Sequence, residues 1–347
     1  MYKQPQGINS FFGNFIYDEV VPQDHFLRRV AKAIDFSFVD DLCKDLYHQS
    51  GAGQKPYAPS LLFKILFLGF TYNVSDRELE ETVNDRLSFK WFLGVGVNES
   101  APDHSTLTIF RERLGEERFR DIFNRIVEIA RNRGLTDEKL KVIDATHVEA
   151  DVNRFKLLEK RAETHQSIPD ASPDPDAAFG RKSRTKPFYG YKSHERIDAK
   201  IGIIEDLVVT PGNVSDTACF PELIHSLKPR TAVTADQIYE TDEHAFMCAE
   251  KRILPYLAMK SNRKDPFRRR RELRNPKHQA ALYLRKLYER TFGEAKQHHG
   301  MRRCRWRSKW RTEIQCLLTA TVQNIKRITA YALSPPSPHP LYVQYFA

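Results

Sequence analysis

The sequence has little of what holds small secreted or membrane proteins together. Its 347 residues include only five cysteines, Cys43, Cys219, Cys248, Cys304 and Cys316. They are odd in number, scattered, and form no CxxC pair, which argues against a disulfide framework and against a structural zinc site. No apolar run approaches the roughly 20 residues of a membrane span. The longest candidate, Leu61 to Phe70, is short and carries Lys64. The start has no signal-peptide pattern. A cytoplasmic protein with no membrane partner is expected.

Acidic residues are also outnumbered. Lys and Arg total 55 against 45 Asp and Glu, giving a net charge of +10 and a pI near 9.3. That balance suggests a polyanionic partner, most often nucleic acid. At 41% hydrophobic residues, the chain is long enough for two or three domains with a sizeable core. The excess is concentrated: Lys251 to Arg311 holds about twenty cations against a handful of acids. Within it, Met301 to Arg311 reads MRRCRWRSKWR, with Trp306 and Trp310 between cations. Phosphate contact plus aromatic stacking is the chemistry of such a strip, so Arg302, Arg303 and Arg305 read as DNA contacts. The alternative is a solvated basic face with both Trp side chains in the core.

Periodicity orders the chain. Tyr57 to Phe70 reads as a helix opened by Pro59 and Ser60. Ser75 with Glu78 three residues on is a capping-box signature. A third helix starts near Asp103-His104-Ser105-Thr106 and carries Arg111 and Arg113. This is either a helix-turn-helix, with Ser105, Thr106 and Arg111 opening its recognition helix, or a plain helical bundle. A long helix from Glu116 ends at Gly134. Lys156 to Lys186 is polar, with Pro169, Pro173 and Pro175 among Asp170, Asp174 and Asp176, and is expected to be mobile or disordered. Next come a hairpin (Tyr189–Asp198, Ile201–Thr210), a helix (Ser215–Leu227), a strand (Thr231–Ala235), a helix (Thr241–Lys251) and a strand (Leu254–Ala258). A basic run, Arg263 to Arg274, precedes a long helix from about Pro276 to His299, and Ala320 to Ala330 closes the chain as a helix. The order implies a mixed sheet with helices on its faces.

Carboxylates among strand formers carry the chemistry. In KVIDATHVEAD, Lys141 to Asp151, alternation puts Val142, Asp144, Thr146 and Val148 on one face and Ile143, Ala145 and His147 on the other. Desolvating an ionised Asp is costly without a partner, so Asp144 is either an edge-strand ion pair or a metal ligand. Asp236 ends a second strand, where capping the following turn is the competing role. Glu289 lies on the long helix four residues after Arg285, where a surface ion pair competes. Two strand aspartates and a helix glutamate can hold two divalent ions around a phosphate.

Taken together, these segments resemble the DDE-type transposases of bacterial insertion sequences. Ile143 to His147 is similar to the first-aspartate strand of that family. Gly190-Tyr191-Lys192-Ser193-His194, Asp198 and Val209 to Asp216 resemble its hairpin signature, and Thr234 to Tyr239 its second-aspartate motif. Arg285, Glu289 and Lys296 fit its spacing, although Tyr283 stands one residue closer to the Arg than usual. Tyr57 to Gly115 is similar to the helical domain at the family's N-terminus.

The resemblance implies an α/β fold: an RNase H-like mixed sheet flanked by helices, preceded by an all-α DNA-binding domain. The expected divisions are 1–135, 136–333 with a polar insertion at about 156–187, and a tail at 334–347. It assigns Asp144, Asp236 and Glu289 as catalytic metal ligands for two Mg²⁺ or Mn²⁺ ions. Lys192, Tyr239, Arg285 and Lys296 are expected at the DNA, with Tyr239 stacking on or hydrogen-bonding its end. The implied partner is double-stranded DNA, both element ends and target, met by a homodimer or higher oligomer in the bacterial nucleoid. An inactive or domesticated DNA-binding copy, or a metal-dependent nuclease that does not join strands, are the alternatives.

Overall fold

The computed structural model describes residues 2–3, 11–47, 55–183, 185–260, 274–333 and 337–347. The basic run at 263–274 falls almost wholly outside them.

Seven helices come first: α1 (Phe11–Val20), α2 (Phe26–Ala33), α3 (Phe38–Leu42), α4 (Pro59–Thr71), α5 (Asp76–Asp85), α6 (Leu87–Leu93) and α7 (His104–Asn132). The sequence PSLLFKILFLGFT makes α4 apolar on nearly every side, so it is buried from Leu61 to Phe70 except at Lys64. Its neighbours wrap it, and Lys64 lies over the Phe36 and Phe92 rings. The Ser75–Glu78 capping box opens α5 as expected. Asp103 caps α7 through the Ser105 amide, and Gly115 breaks its helical geometry (φ 62°). The two helices read from the sequence therefore run on as one kinked element.

The sheet has six strands: β1 (Leu140–Glu149), β2 (Ala178–Ser183), β3 (Lys186–Asp198), β4 (Ile204–Pro211), β5 (Ala232–Ala235) and β6 (Leu254–Pro255). β3 pairs antiparallel with β1 on one side and with β2 and β4 on the other, while β1–β5 and β5–β6 are parallel. A mixed sheet entered through antiparallel strands and continued by parallel ones is the RNase H-like arrangement. The alternation read in β1 holds. Val142 and Val148 join the main core, whereas Ile143 packs with Cys219, Phe220, Leu223, Val233 and Cys248 on the opposite face. That second face is covered by α10 (Phe220–Ile224) and α11 (Asp242–Glu250). The first is covered by α12 (Pro276–His298) and α13 (Lys309–Leu333).

Three readings need correction. The segment 156–186 is folded where it is described: α8 (Arg154–Thr164), α9 (Ile168–Ala171) and β2 fill it. Counting its few apolar residues missed a polar anchor. Asp174 is fully buried, accepts from the Tyr191 hydroxyl at 2.6 Å and from the Ser308 amide at 3.2 Å, and is raised in pKa by that burial. The tail is not loose either. α14 (Pro340–Phe346) buries Tyr342 and Phe346, and the Tyr342 hydroxyl reaches Asp137. Finally, the helix expected at Ser215–Leu227 is a 3₁₀ turn (Asp216–Cys219) followed by the short α10.

One apolar core crosses the boundary expected at 135/136, running from Leu27 and Phe67 through Ile126 to Val142, Tyr191 and Leu317. α13 is the reason: it packs on α2, α4 and α7 as well as on β3 and β4.

Candidate active site

In the parallel β1–β5 pair, Ile143 stands opposite Ala235. Asp144 and Asp236 are each the next residue, so both emerge at the same end of adjacent strands, about 4.8 Å apart in the sheet. α12 crosses this end with Arg285 facing down. A single guanidinium nitrogen, Arg285 Nη1, donates to Asp144 Oδ2 at 3.1 Å and lies 3.3 Å from Glu289 Oε1. Asp144 and Glu289 therefore meet at one cation. Both competing roles named for the other acids are also observed: Asp236 Oδ1 caps the turn Gln237–Tyr239 through the Gln237 amide at 2.7 Å, and Glu289 pairs with Arg285.

The electrostatics at this end are strained. Burial pushes the Asp144 carboxyl up to about 6. The Ala145 amide and Arg285 pull it down, while the negative charges of Glu289 and Asp236 push it up. A desolvated carboxylate with two other acids near enough to raise it offers a divalent cation hard oxygen donors, excess negative charge and rigid strand ends, although the three carboxylates do not all come within 4.8 Å of one another. Behind Asp144 sits a residue that the sequence reading passed over. Glu195 lies directly across from Asp144 in the β1–β3 register and is 2% exposed. Burial raises it to about 7, against a Ser193 hydrogen bond and Arg327 that lower it. Strand alternation was the available signal, but it needs the β1–β3 pairing to become readable.

A crowd of cations borders the carboxylates. Lys296 Nζ is 3.4 Å from His147 Nδ1. Burial, with Lys182 and Arg302 nearby, lowers Lys296 to about 8, and burial beside Lys296 and Lys182 lowers His147 to about 4. Three cations gathered around one nearby acid, Glu149, suit a phosphate backbone. Next to Arg285, a cavity of about 780 Å³ opens between α12 and α14, lined by His278, Tyr283, Lys286, Leu341 and Tyr345 among others.

The remaining expected DNA contacts divide. Arg302 and Arg303 are exposed; Arg302 bonds the Lys296 carbonyl at 3.3 Å and Arg303 pairs with Asp151 at 3.0 Å. Ser105 is exposed and Thr106 half-buried at the start of α7. Lys192 is engaged with Asp216 at 2.7 Å and the Val214 carbonyl at 2.9 Å. Three residues point inward instead. Arg111 is 5% exposed, pairs with Asp76 at 2.7 Å and lies 4.2 Å over the Trp306 ring. Arg305 donates to the Val74 carbonyl at 2.8 Å and to Asn73 Oδ1 at 3.0 Å, over the Phe70 ring at 4.3 Å. Tyr239 is 1% exposed and packs on Phe220, so its ring is not available to stack on DNA. Trp306 and Trp310 pack against the main core. The arginine–tryptophan strip thus divides, with Arg302 and Arg303 exposed on its outside and Arg305 tying the strip to the N-terminal helices.

Among the described residues, the group whose ligand atoms all lie within 4.8 Å of one another is Glu80, Asp103 and His104. It is explained without an ion, since Glu80 accepts from both the amide and ring of His104 at the mouth of α7.

Carboxylates at adjoining strand ends with a helix glutamate over them are the residue types of the DDE class, and the sequence comparisons point to the same class. The family model described as the transposase DDE domain matches residues 136–325, and the transposase domain DUF772 matches residues 15–113. The chain belongs to the DDE-type insertion-sequence transposases. Among solved structures, it is similar to a chain of the cryo-EM structure of piggyBac transposase synaptic complex with hairpin DNA. The identity is 10%, the TM-score 0.39, and the match covers 93% of this chain and 84% of that one. That likeness is too distant to carry an argument. No helix among the described residues is long and apolar enough to cross a membrane.

Proposed function

We propose that this transposase binds double-stranded DNA at the terminal inverted repeats of a mobile element, cuts it there, and joins the freed 3′ end to target DNA. The observation that carries this reading is the convergence of Asp144 and Glu289 on one Arg285 nitrogen, with Asp236 at the adjoining strand end. Asp144, Asp236 and Glu289 would hold two Mg²⁺ or Mn²⁺ ions. Bound there, the ions supply a nucleophile at neutral pH and stabilisation of the leaving oxygen.

The chain's own residues do the rest. The short Asp side chains fix their oxygens close to rigid strands, and Glu289 reaches across from α12. Arg285 holds Asp144 and Glu289 in place and is positioned to take a phosphate oxygen when they turn to a metal. Lys296, Lys182 and Arg302 accept the flanking backbone, which fixes register without reading sequence. Of the three α7 residues expected to read bases, Ser105 and Thr106 are the two not turned inward. Assembly as a homodimer or higher oligomer would bring two ends together.

A labelled inverted-repeat end, incubated with target plasmid with and without Mg²⁺, tests the whole reading on one gel. Metal-dependent cutting followed by joined product is expected. Cutting without joining means a nuclease, and binding without cutting means an inactive copy.

A further inference from the structure

Glu195 has no part in the triad, yet it is the most deeply buried acid on the Asp144 face of the sheet. Residues directly opposite in an antiparallel pair point to the same face, with Cβ atoms about 4.5–5.5 Å apart. One Glu195 oxygen accepts from Ser193 Oγ at 3.2 Å. The other, Oε2, is buried and has no hydrogen-bond partner among the described residues. Such a group needs a physical reason, because an unsatisfied buried carboxyl costs stability. Arg327, on α13, is near enough to favour its charge, but its Nη1 is unpartnered as well, and its ion-pair contact is Glu294 at 3.6 Å. The structure therefore holds an acid behind Asp144 that its own neighbours leave incompletely paired.

Charge count gives the reason. Two divalent ions bring four positive charges. Asp144, Asp236 and Glu289 answer with three, and Arg285 offsets one of those. That leaves an excess of two positive charges, which a fourth carboxylate on the same face halves.

We propose that Glu195 is a positioning residue of the cation site, standing behind Asp144 and strengthening the site's hold on divalent ions. This rests on the triad binding metal, as argued above. Acids and partners that outline a metal site from outside its direct ligands typically set affinity by about 10- to 100-fold.

The test is Mn²⁺ titration of the full-length protein without DNA, following the free-ion signal by electron paramagnetic resonance, with thermal unfolding of each metal-free variant alongside. Glu195→Gln keeps shape and volume but removes the charge. The expected result is Mn²⁺ affinity weakened about 10- to 100-fold, with the metal-free unfolding temperature little changed. Wild-type affinity in Glu195→Gln overturns the proposal. Should Glu195→Gln fail to fold, Ser193→Ala decides: it releases the one hydrogen bond that orients Glu195. Weakened Mn²⁺ binding in Ser193→Ala supports the role, and unchanged binding overturns it. Asp144→Asn run in parallel separates the two layers, because unchanged Mn²⁺ binding in that variant removes the triad reading itself.

Discussion

Replacing Arg305 with Ala separates fold chemistry from DNA chemistry. Arg305 sits in a strip that reads as phosphate-binding, yet its guanidinium donates to the Val74 carbonyl at 2.8 Å, to Asn73 Oδ1 at 3.0 Å and, at 3.4 Å, to the Gly69 carbonyl. It also lies 4.3 Å over Phe70. Hydrogen bonds from a charged donor contribute about 1.5–3 kcal/mol each, though not additively. The ring contact adds on the order of 0.5–1 kcal/mol. Allowing for water that enters the gap, Arg305→Ala should cost roughly 3 kcal/mol of stability. Arg305→Lys keeps the charge but loses the fork, and should fall between. Urea unfolding reads this as a lower midpoint at constant m-value. DNA affinity measured across a salt series should keep its slope in the folded Arg305 variants. The Arg302→Ala/Arg303→Ala pair should do the reverse: stability within about 0.5 kcal/mol of the parent, and a salt slope flatter by about one unit per lost contact. An unchanged urea midpoint for Arg305→Ala, together with a flattened slope, would refute the division between inner and outer arginines.

Other outcomes follow from single sites. Lys141 is buried between Asp198 and Glu205, each at 2.8 Å, so Lys141→Met should cost about 3–5 kcal/mol in chemical denaturation by stranding two buried acids. Gly190 has φ 158°, and a Cβ there would stand 2.2 Å from the Val148 carbonyl oxygen, so Gly190→Ala should fail to accumulate as folded protein in a soluble-expression and circular-dichroism assay. His194 is fully buried and held down to about 4 by burial, below the ordinary 6.5. The unfolded chain therefore takes up that proton first as pH falls. Stability should drop between about pH 6.5 and 4, by on the order of 3 kcal/mol in total, and His194→Gln should flatten that part of the unfolding-versus-pH curve.

Much of this was legible in the sequence, for local reasons. The capping box at Ser75 and Glu78 and the alternation through Asp144 are set by neighbours within a few residues, and each is where it was read. The misreadings share a different cause: partners far along the chain. Nothing near Asp174 announces Tyr191 and Ser308, so the proline-rich segment looked unable to order. Arg111 and Trp306 are 195 positions apart, and each looked like a DNA contact until the fold stacked them. Tyr239 follows its aspartate as a DNA-facing residue would, but the 3₁₀ turn that Asp236 caps rotates it into the core. Glu195 was hidden because its meaning depends on strand register, which a sequence with no turn of defined type leaves open.

The central claim is where the divalent ions bind, and localised backbone cutting measures it. With Fe²⁺ in place of Mg²⁺, ascorbate and peroxide generate hydroxyl radicals at the bound ion, and the protein is cleaved beside it. Fragments ending near Asp144, Asp236 and Glu289 are expected, suppressed by excess Mg²⁺ and lost in Asp144→Asn. Cleavage confined to the Glu80, Asp103 and His104 cluster, with the strand ends untouched, would contradict it.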